Sequence, residues 1–214
     1  MNIVIIPGFI GYPEDKSCQD IKNVLTNEGH TVNIIAWPYF PYQLDKYGFT
    51  SMLAHARKEI SKMNNEGLVI LGISMGGIIA TILADEFKPK KLVLLVSPYQ
   101  AGTEDDLASK YNDWQINGYR EIKSSKYGGL KIPFSFIEDA RHYNALDYIQ
   151  NIRCPVLFIA GEKDKNVPYF ATHKLFEKTN EPKQWYLIPG MEHKFQYQTG
   201  MSEKVGGIIT DFFK

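Results

Sequence analysis

Residues 68–87 read LVILGISMGGIIATILADEF. Leu68–Leu71 is an apolar run of strand length, and Ile78, Ile79, Ile82, Leu83 and Phe87 then recur at helical spacing. Between them lies Gly72-Ile73-Ser74-Met75-Gly76, a G-x-S-x-G at the point where a strand must turn sharply into a helix. A Ser at such a turn has a strained backbone and an outward-facing hydroxyl. Gly72 and Gly76 carry no Cβ, so strand end and helix can approach closely. Ser74 also stands at the start of the helix, whose unpaired N–H groups and positive dipole end suit a developing oxyanion.

Outward from this unit the chain alternates strand and helix. Asn2–Ile6 (NIVII) is a strand that leaves through Pro7-Gly8-Phe9. Cys18, Ile21, Val24 and Leu25 mark a helix closed by Gly29, and Val32–Ala36 a second strand. The aromatic loop Trp37–Pro41 precedes a helix with Met52, Leu53, Ala56, Ile60 and Met63 on one face and Thr50 or Ser51 as its cap. Leu92–Val96 is a strand stopped by Ser97-Pro98. From Tyr99 to Gln150 no clear strand is predicted. The segment is too long for a bare connection, and it is read as a small, mainly helical insertion. Glu104–Asp106 is read as a solvated acidic face and Gly128-Gly129 as a flexible joint. Alternation resumes with Val156–Ala160, a helix near Tyr169–Lys178, the strand Trp185–Ile188 and a last helix capped by Ser202. Fully apolar strands in βα alternation predict a parallel sheet covered on both faces, here with six strands.

Composition bounds the function. The 214 residues suit one domain, 44% apolar and 22% charged, with 24 basic against 24 acidic residues. Zero net charge gives no support for a nucleic-acid partner. No apolar run reaches membrane-spanning length and no signal peptide is evident, so a soluble cytoplasmic protein without a membrane partner is expected. Cys18 and Cys154 are far apart, read as reduced structural thiols, and make no metal-ligand spacing. No metal and no cofactor are called for. G-x-x-x-x-G-K-[ST] is absent, and no G-x-G-x-x-G follows the first strand, which argues against a nucleotide-binding protein.

A nucleophilic Ser needs a base and a group that orients the base. Of five histidines, His193 alone lies in a Gly-containing loop directly after a late strand, in IPGMEH (188–193). A parallel sheet directs all its strand C-termini to one edge, where Ser74 and His193 can meet. The acid is sought after another strand on that edge. GEKDKNVP (161–168) offers Asp164, with Glu162 as its rival.

GISMGG around Ser74, AGEKDKNVP around Asp164 and PGMEHKF around His193 come in the order nucleophile, acid, histidine. In these motifs, and in the run NALDYIQNIRCP (144–155) that returns the insertion to the core, the chain resembles the α/β-hydrolase superfamily, nearest to small carboxylesterases and acylglycerol-lipase-like enzymes. The resemblance implies strand order 2-1-3-4-5-6, with a crevice between Phe9 and Ser74. It also implies an oxyanion hole built from the backbone N–H groups of Met75 and Phe9, although Pro7-Gly8-Phe9 stands where many relatives have His-Gly-x. The expected activity is hydrolysis of a small-molecule carboxylic ester, of short to medium acyl chain, through an acyl-enzyme. A thioesterase, peptidase or acyltransferase on the same triad, and a non-catalytic hydrolase-like binding protein, are the alternatives. The insertion is expected to roof the crevice, with some of its aromatics lining a pocket beside Phe9, Trp37 and Tyr39. No oligomeric state is specified.

Overall fold

The computed structural model describes residues 1–63, 66–103, 111–124 and 126–214. The acidic run Glu104–Asp106 lies outside the described residues. The chain runs β1 (Asn2–Ile6), α1 (Lys16–Asn27), β2 (Thr31–Ile34), α2 (Phe49–Ser61), β3 (Leu68–Ile73), α3 (Gly76–Phe87) and β4 (Lys91–Leu95). Then come α4 (Tyr111–Asn117), β5 (Tyr119–Ser124), β6 (Gly128–Pro133), α5 (Ser135–Ala140), α6 (Leu146–Ile149), β7 (Val156–Gly161), α7 (Tyr169–Lys178), β8 (Lys183–Ile188) and α8 (Met201–Phe213).

Six strands form one parallel sheet in the order β2-β1-β3-β4-β7-β8. This is the expected 2-1-3-4-5-6 once the two strands of the insertion are set aside. Every residue of β3 and β7 is buried, because helices cover both faces. Side chains alternate between faces along a strand. In β1, Val4 and Ile6 enter the core under α2 and α3, while Ile3 and Ile5 enter the core under α1 and α8. Each such buried Ile or Leu contributes about 1.5–3 kcal/mol of transfer free energy. The sheet order reverses between β1 and β3, so the loops leaving these two strands part and open a crevice at their C-terminal ends.

Three predicted helix caps and joints are corrected. Gly48, not Thr50 or Ser51, is the N-cap of α2; the Ser51 hydroxyl instead accepts the Gly48 N–H at 3.2 Å. Gly200, not Ser202, precedes α8, and the Ser202 hydroxyl donates to Asp20 at 2.7 Å. Gly128-Gly129 is no joint. It starts β6, which pairs antiparallel with β5 from Tyr119↔Pro133 to Ser124↔Gly128. The hairpin escaped the sequence reading because its strands carry few apolar residues: β5 reads YREIKS and no residue of it is buried. Among its described residues, the inserted region between β4 and β7 therefore combines three short helices with one hairpin.

The insertion is fastened to the core through α2. Asp139 of α5 accepts the Thr50 N–H at 2.7 Å and the Thr50 hydroxyl proton at 2.5 Å. That proton being used, the Tyr143 hydroxyl donates to Thr50 Oγ1 at 2.7 Å. Asp139 thus places a carboxylate over the first turn of α2, where the helix lacks N–H acceptors. Asp139→Ala is expected to lower stability by about 1–2 kcal/mol, the usual size of a lost cap. Urea unfolding measures this; an unchanged midpoint would show that the fastening carries no weight.

Candidate active site

Ser74 leaves β3 at φ +54°, a left-handed conformation that costs a non-glycine residue about 1–3 kcal/mol. Hydrogen bonds on both sides hold it there: its N–H donates to Leu95 O at 2.9 Å and its carbonyl accepts the Gly77 N–H at 2.8 Å. The turn is tight because its neighbours lack Cβ atoms. A Cβ on Gly76 would collide with the carbonyls of Ile6 and Pro7, and one on Gly72 would lie 2.5 Å from Gly77 Cα. One sequence element therefore sets the Ser74 hydroxyl at the sheet edge and draws α3 against the end of β1.

His193 and Asp164 meet Ser74 there. Ser74 Oγ lies 3.0 Å from His193 Nε2, and His193 Nδ1 lies 2.8 Å from Asp164 Oδ2. Asp164 is buried, and its Oδ1 accepts the N–H groups of Asn166 at 2.9 Å and Val167 at 2.8 Å. A carboxylate acceptor at Nδ1 places the ring proton there and leaves Nε2 free to accept from the Ser74 hydroxyl. The rival acid, Glu162, is exposed and faces elsewhere: its Oε2 accepts the Gly190 N–H at 2.9 Å. Gln198 completes that hold on the His193 loop, donating to Gly190 O at 3.0 Å and accepting the Glu192 N–H at 2.9 Å. Neither Glu162 nor Gln198 was assigned this part from sequence, since a loop-holding role leaves no motif. His173 is instead packed on Trp185 with Glu177 3.4 Å away, and His30 lies 3.3 Å from the N-terminal nitrogen.

Phe9 and Met75 line the same cavity as Ser74. Their N–H groups make no hydrogen bond among the described residues. The Phe9 loop is pinned by two side chains. Trp37 Nε1–H donates to Gly8 O at 3.2 Å, and the buried Tyr47 hydroxyl accepts the Ile10 N–H at 3.1 Å. Burial pushes the Tyr47 phenol up from its ordinary pKa, which keeps it neutral. Trp37 was expected to line the pocket together with Tyr39. Its indole is instead drawn under the loop by the bond to Gly8, and neither residue lines the cavities at Ser74.

Among the described residues, two cavities open at Ser74. The smaller, about 60 Å³, is walled by Met75, Ala101, Trp114, Phe136 and Ile137. The larger, about 430 Å³, is walled by Arg120 and by the segment from His193 to Tyr197. Trp114 and Phe136 stack with their planes 5° apart, and both meet Phe9. Only some of the insertion's aromatics reach the site, as expected. Among the described residues, no group of three or more His, Cys, Asp or Glu could hold a metal ion, and no helix is long and apolar enough to cross a membrane.

A buried acid, a histidine and a Ser on a strained strand-to-helix turn, joined by two hydrogen bonds, define the triad geometry of a serine hydrolase. The chain belongs to the family described as alpha/beta hydrolase fold, which residues 2–132 match. Human palmitoyl-protein thioesterase ABHD10, a mitochondrial protein, is 24% identical over 191 residues, covering 82% of this chain and 61% of the human protein. The uncharacterized protein YqkD of Bacillus subtilis is 27% identical over 145 residues, covering 64% of this chain and 45% of YqkD. Thus the chain spans less than two thirds of the length of these relatives. Among solved structures, mouse alpha/beta hydrolase domain-containing protein 10 superposes with a TM-score of 0.80 at 19% identity, covering 99% of this chain and 89% of the mouse chain. Est1E from Butyrivibrio proteoclasticus, determined with ferulic acid bound, gives 0.77 at 18% identity, covering 99% and 87%.

Two glycines test the packing of the turn. Gly76→Ala is expected to destabilise the protein by about 1–3 kcal/mol, because backbone carbonyls cannot yield to the new methyl. Gly207→Ala in α8, where a Cβ meets nothing within 4 Å, should instead stabilise by about 0.5–1 kcal/mol. Chemical unfolding of both variants measures this; equal midpoints would refute the close approach at Gly76.

Proposed function

We propose that this chain is a serine hydrolase that cleaves a carboxylic ester with a short acyl chain through an acyl-enzyme. The observation that carries the reading is the continuous hydrogen-bond chain from buried Asp164 through His193 to Ser74. Ser74 Oγ attacks the ester carbonyl as its proton passes to His193 Nε2, and the tetrahedral oxyanion lies against the N–H groups of Phe9 and Met75. The bond to the alcohol oxygen then breaks, and His193 returns the proton to that oxygen. Water attacks the acyl-enzyme by the same route and releases the acid. Asp164 holds the tautomer and stabilises the imidazolium. Each oxyanion donor contributes about 2.7–4 kcal/mol in comparable sites.

The smaller cavity suits the acyl group. A cavity of about 60 Å³ walled by Met75, Trp114, Phe136 and Ile137 suits a short apolar chain. Its aromatic walls exclude water and so strengthen the oxyanion hydrogen bonds. Residues 1–214 act, in this reading, as one catalytic domain, with 99–150 as the cap that shapes the pocket. Cys18 and Cys154 are unpaired and burial pushes their thiols up to about 12 and about 11, which suits inert thiols in the cytoplasm. A thioester is the second reading, favoured by the name of the human relative. The acyl group expected is again a short one, from the small size of the apolar cavity.

Ser74→Ala should abolish both ester hydrolysis and labelling by a fluorophosphonate probe, a loss of roughly 10⁴–10⁶ in turnover. Asp164→Asn should cost about 10⁴, through the wrong imidazole tautomer, and far more than Glu162→Gln. Hydrolysis within tenfold of the parent in Ser74→Ala would overturn the nucleophile, and the reverse ranking of the two acids would overturn Asp164. A protein that binds esters without turning them over or taking the label would be a non-catalytic relative.

Catalytic efficiency on p-nitrophenyl esters should rise from acetate to about butyrate, each buried methylene adding about 0.8 kcal/mol until the cavity is full. It should then flatten or fall. A rise continuing to palmitate would refute the acyl assignment of the smaller cavity. Butyryl thioesters run beside butyryl esters decide between the two readings.

A further inference from the structure

Phe9 sits in a tight turn from Gly8 to Gly11, closed by the Gly11 N–H donating to Gly8 O at 3.0 Å. The third residue of the turn, Ile10, has φ +53°. Turns with a positive φ at that position favour glycine, and a β-branched side chain resists it. Without outside support such a turn would relax and carry Phe9 with it. Two aromatic side chains of the core supply the support. The Gly8–Phe9 peptide is trans, so its carbonyl and its N–H point in opposite directions. Trp37 Nε1–H donates to that carbonyl at 3.2 Å, and thereby sets which way the Phe9 N–H faces. The next peptide is held by its N–H, which Ile10 donates to the Tyr47 hydroxyl at 3.1 Å. Trp37 and Tyr47 are themselves buried, and the Tyr47 ring stacks on Phe136 at 5.1 Å. The peptide they hold stands against the nucleophile: a Cβ on Gly8 would lie 3.1 Å from Ser74 Cβ and 3.6 Å from Ser74 Oγ. Two fixed rings thus bond successive peptides of a strained turn, and the N–H between those bonds is the one beside Ser74.

We propose that Trp37 and Tyr47 are positioning residues for the reaction: through their bonds to Gly8 O and the Ile10 N–H they aim the Phe9 N–H at the oxyanion of the tetrahedral intermediate. Neither lines the cavities at Ser74, so both act through the backbone and not on the substrate. The proposal rests on the hydrolase reading above and adds to it the side chains that preorganise one of the two oxyanion donors.

Two substrates test it, p-nitrophenyl butyrate and its thiono analogue, in which sulfur replaces the carbonyl oxygen. Both release p-nitrophenol. Sulfur is the weaker acceptor and its bond to carbon is longer, so the thiono substrate gains little from the oxyanion donors. The parent should prefer the oxygen ester by about tenfold or more in kcat/KM. Tyr47→Phe and Trp37→Phe should each lower kcat on the oxygen ester by about ten- to a hundredfold, with KM little changed, the size of a misaimed oxyanion donor. The rate on the thiono ester should fall much less, so the oxygen-to-sulfur ratio should drop towards one. That ratio does not depend on how much of the enzyme is folded. Tyr47→Phe deletes a single oxygen, so it reports even if Trp37→Phe folds poorly. A ratio unchanged from the parent in one variant, whatever the loss of rate, would overturn the assignment of that residue; unchanged in both, it would overturn the proposal. An active parent with no preference for the oxygen ester would also overturn it and leave the hydrolase intact. No turnover of the butyrate ester, with no fluorophosphonate label on Ser74, would overturn both readings together.

Discussion

The close contact at Gly76 is the constraint on which the site depends. Because this residue has no side chain, the start of α3 rests directly on the carbonyls of Ile6 and Pro7 at the end of β1. The same contact therefore fixes three things relative to one another: the turn that exposes Ser74, the N–H of Met75, and the loop that carries Phe9. Paired register between β1 and β3, with Ile6 beside Gly72, brings the two strand ends level before the contact is made. The strain of a left-handed Ser74 persists because both of its peptide groups are bonded, to Leu95 and to Gly77.

Much of this was legible in the chain itself. Fully apolar strands of four to six residues, separated by helical periodicity, can only be covered on both faces, and so the parallel sheet follows from pattern alone. Ser74 was legible because steric demands dictate glycine on either side of it. His193 was legible by position, as the histidine that directly follows a late strand. What stayed hidden depends on contacts between distant segments. Asp164 and Glu162 stand two residues apart on one loop, and no local rule separates them; the burial of one and the bond of the other to Gly190 do. The β5–β6 hairpin stayed hidden because Arg120, Glu121 and Lys123 gave it the appearance of solvated coil. Trp37 looked like a pocket wall, whereas its indole N–H, like the Tyr47 hydroxyl, is spent on the loop around Phe9.

Core and insertion divide the work. The triad and both flanking N–H groups come from loops at the C-terminal ends of core strands β1, β3, β7 and β8, where backbone geometry is set by the sheet. The insertion supplies Trp114, Arg120, Phe136 and Ile137 as walls to the cavities and no member of the triad. Its fastening through Asp139 and Thr50 lies on α2, well away in sequence from the triad. The triad is thus held by the ends of the core strands, while buried insertion residues such as Trp114, Phe136 and Ile137 form much of the cavity wall.

The same division is visible at Arg120 of the insertion, whose guanidinium lies over the rings of Phe9 and Trp114 at the edge of both cavities. A cation next to a triad would stabilise Asp164 at the expense of the imidazolium if it lay on the acid's side, since the positive charge on His193 develops in the transition state. The structure keeps the two apart. Asp164 is buried, with Oδ1 accepting the N–H groups of Asn166 and Val167 and Oδ2 facing His193, while Arg120 lies over Phe9 and Trp114. The two aromatic faces help to hold the guanidinium in position.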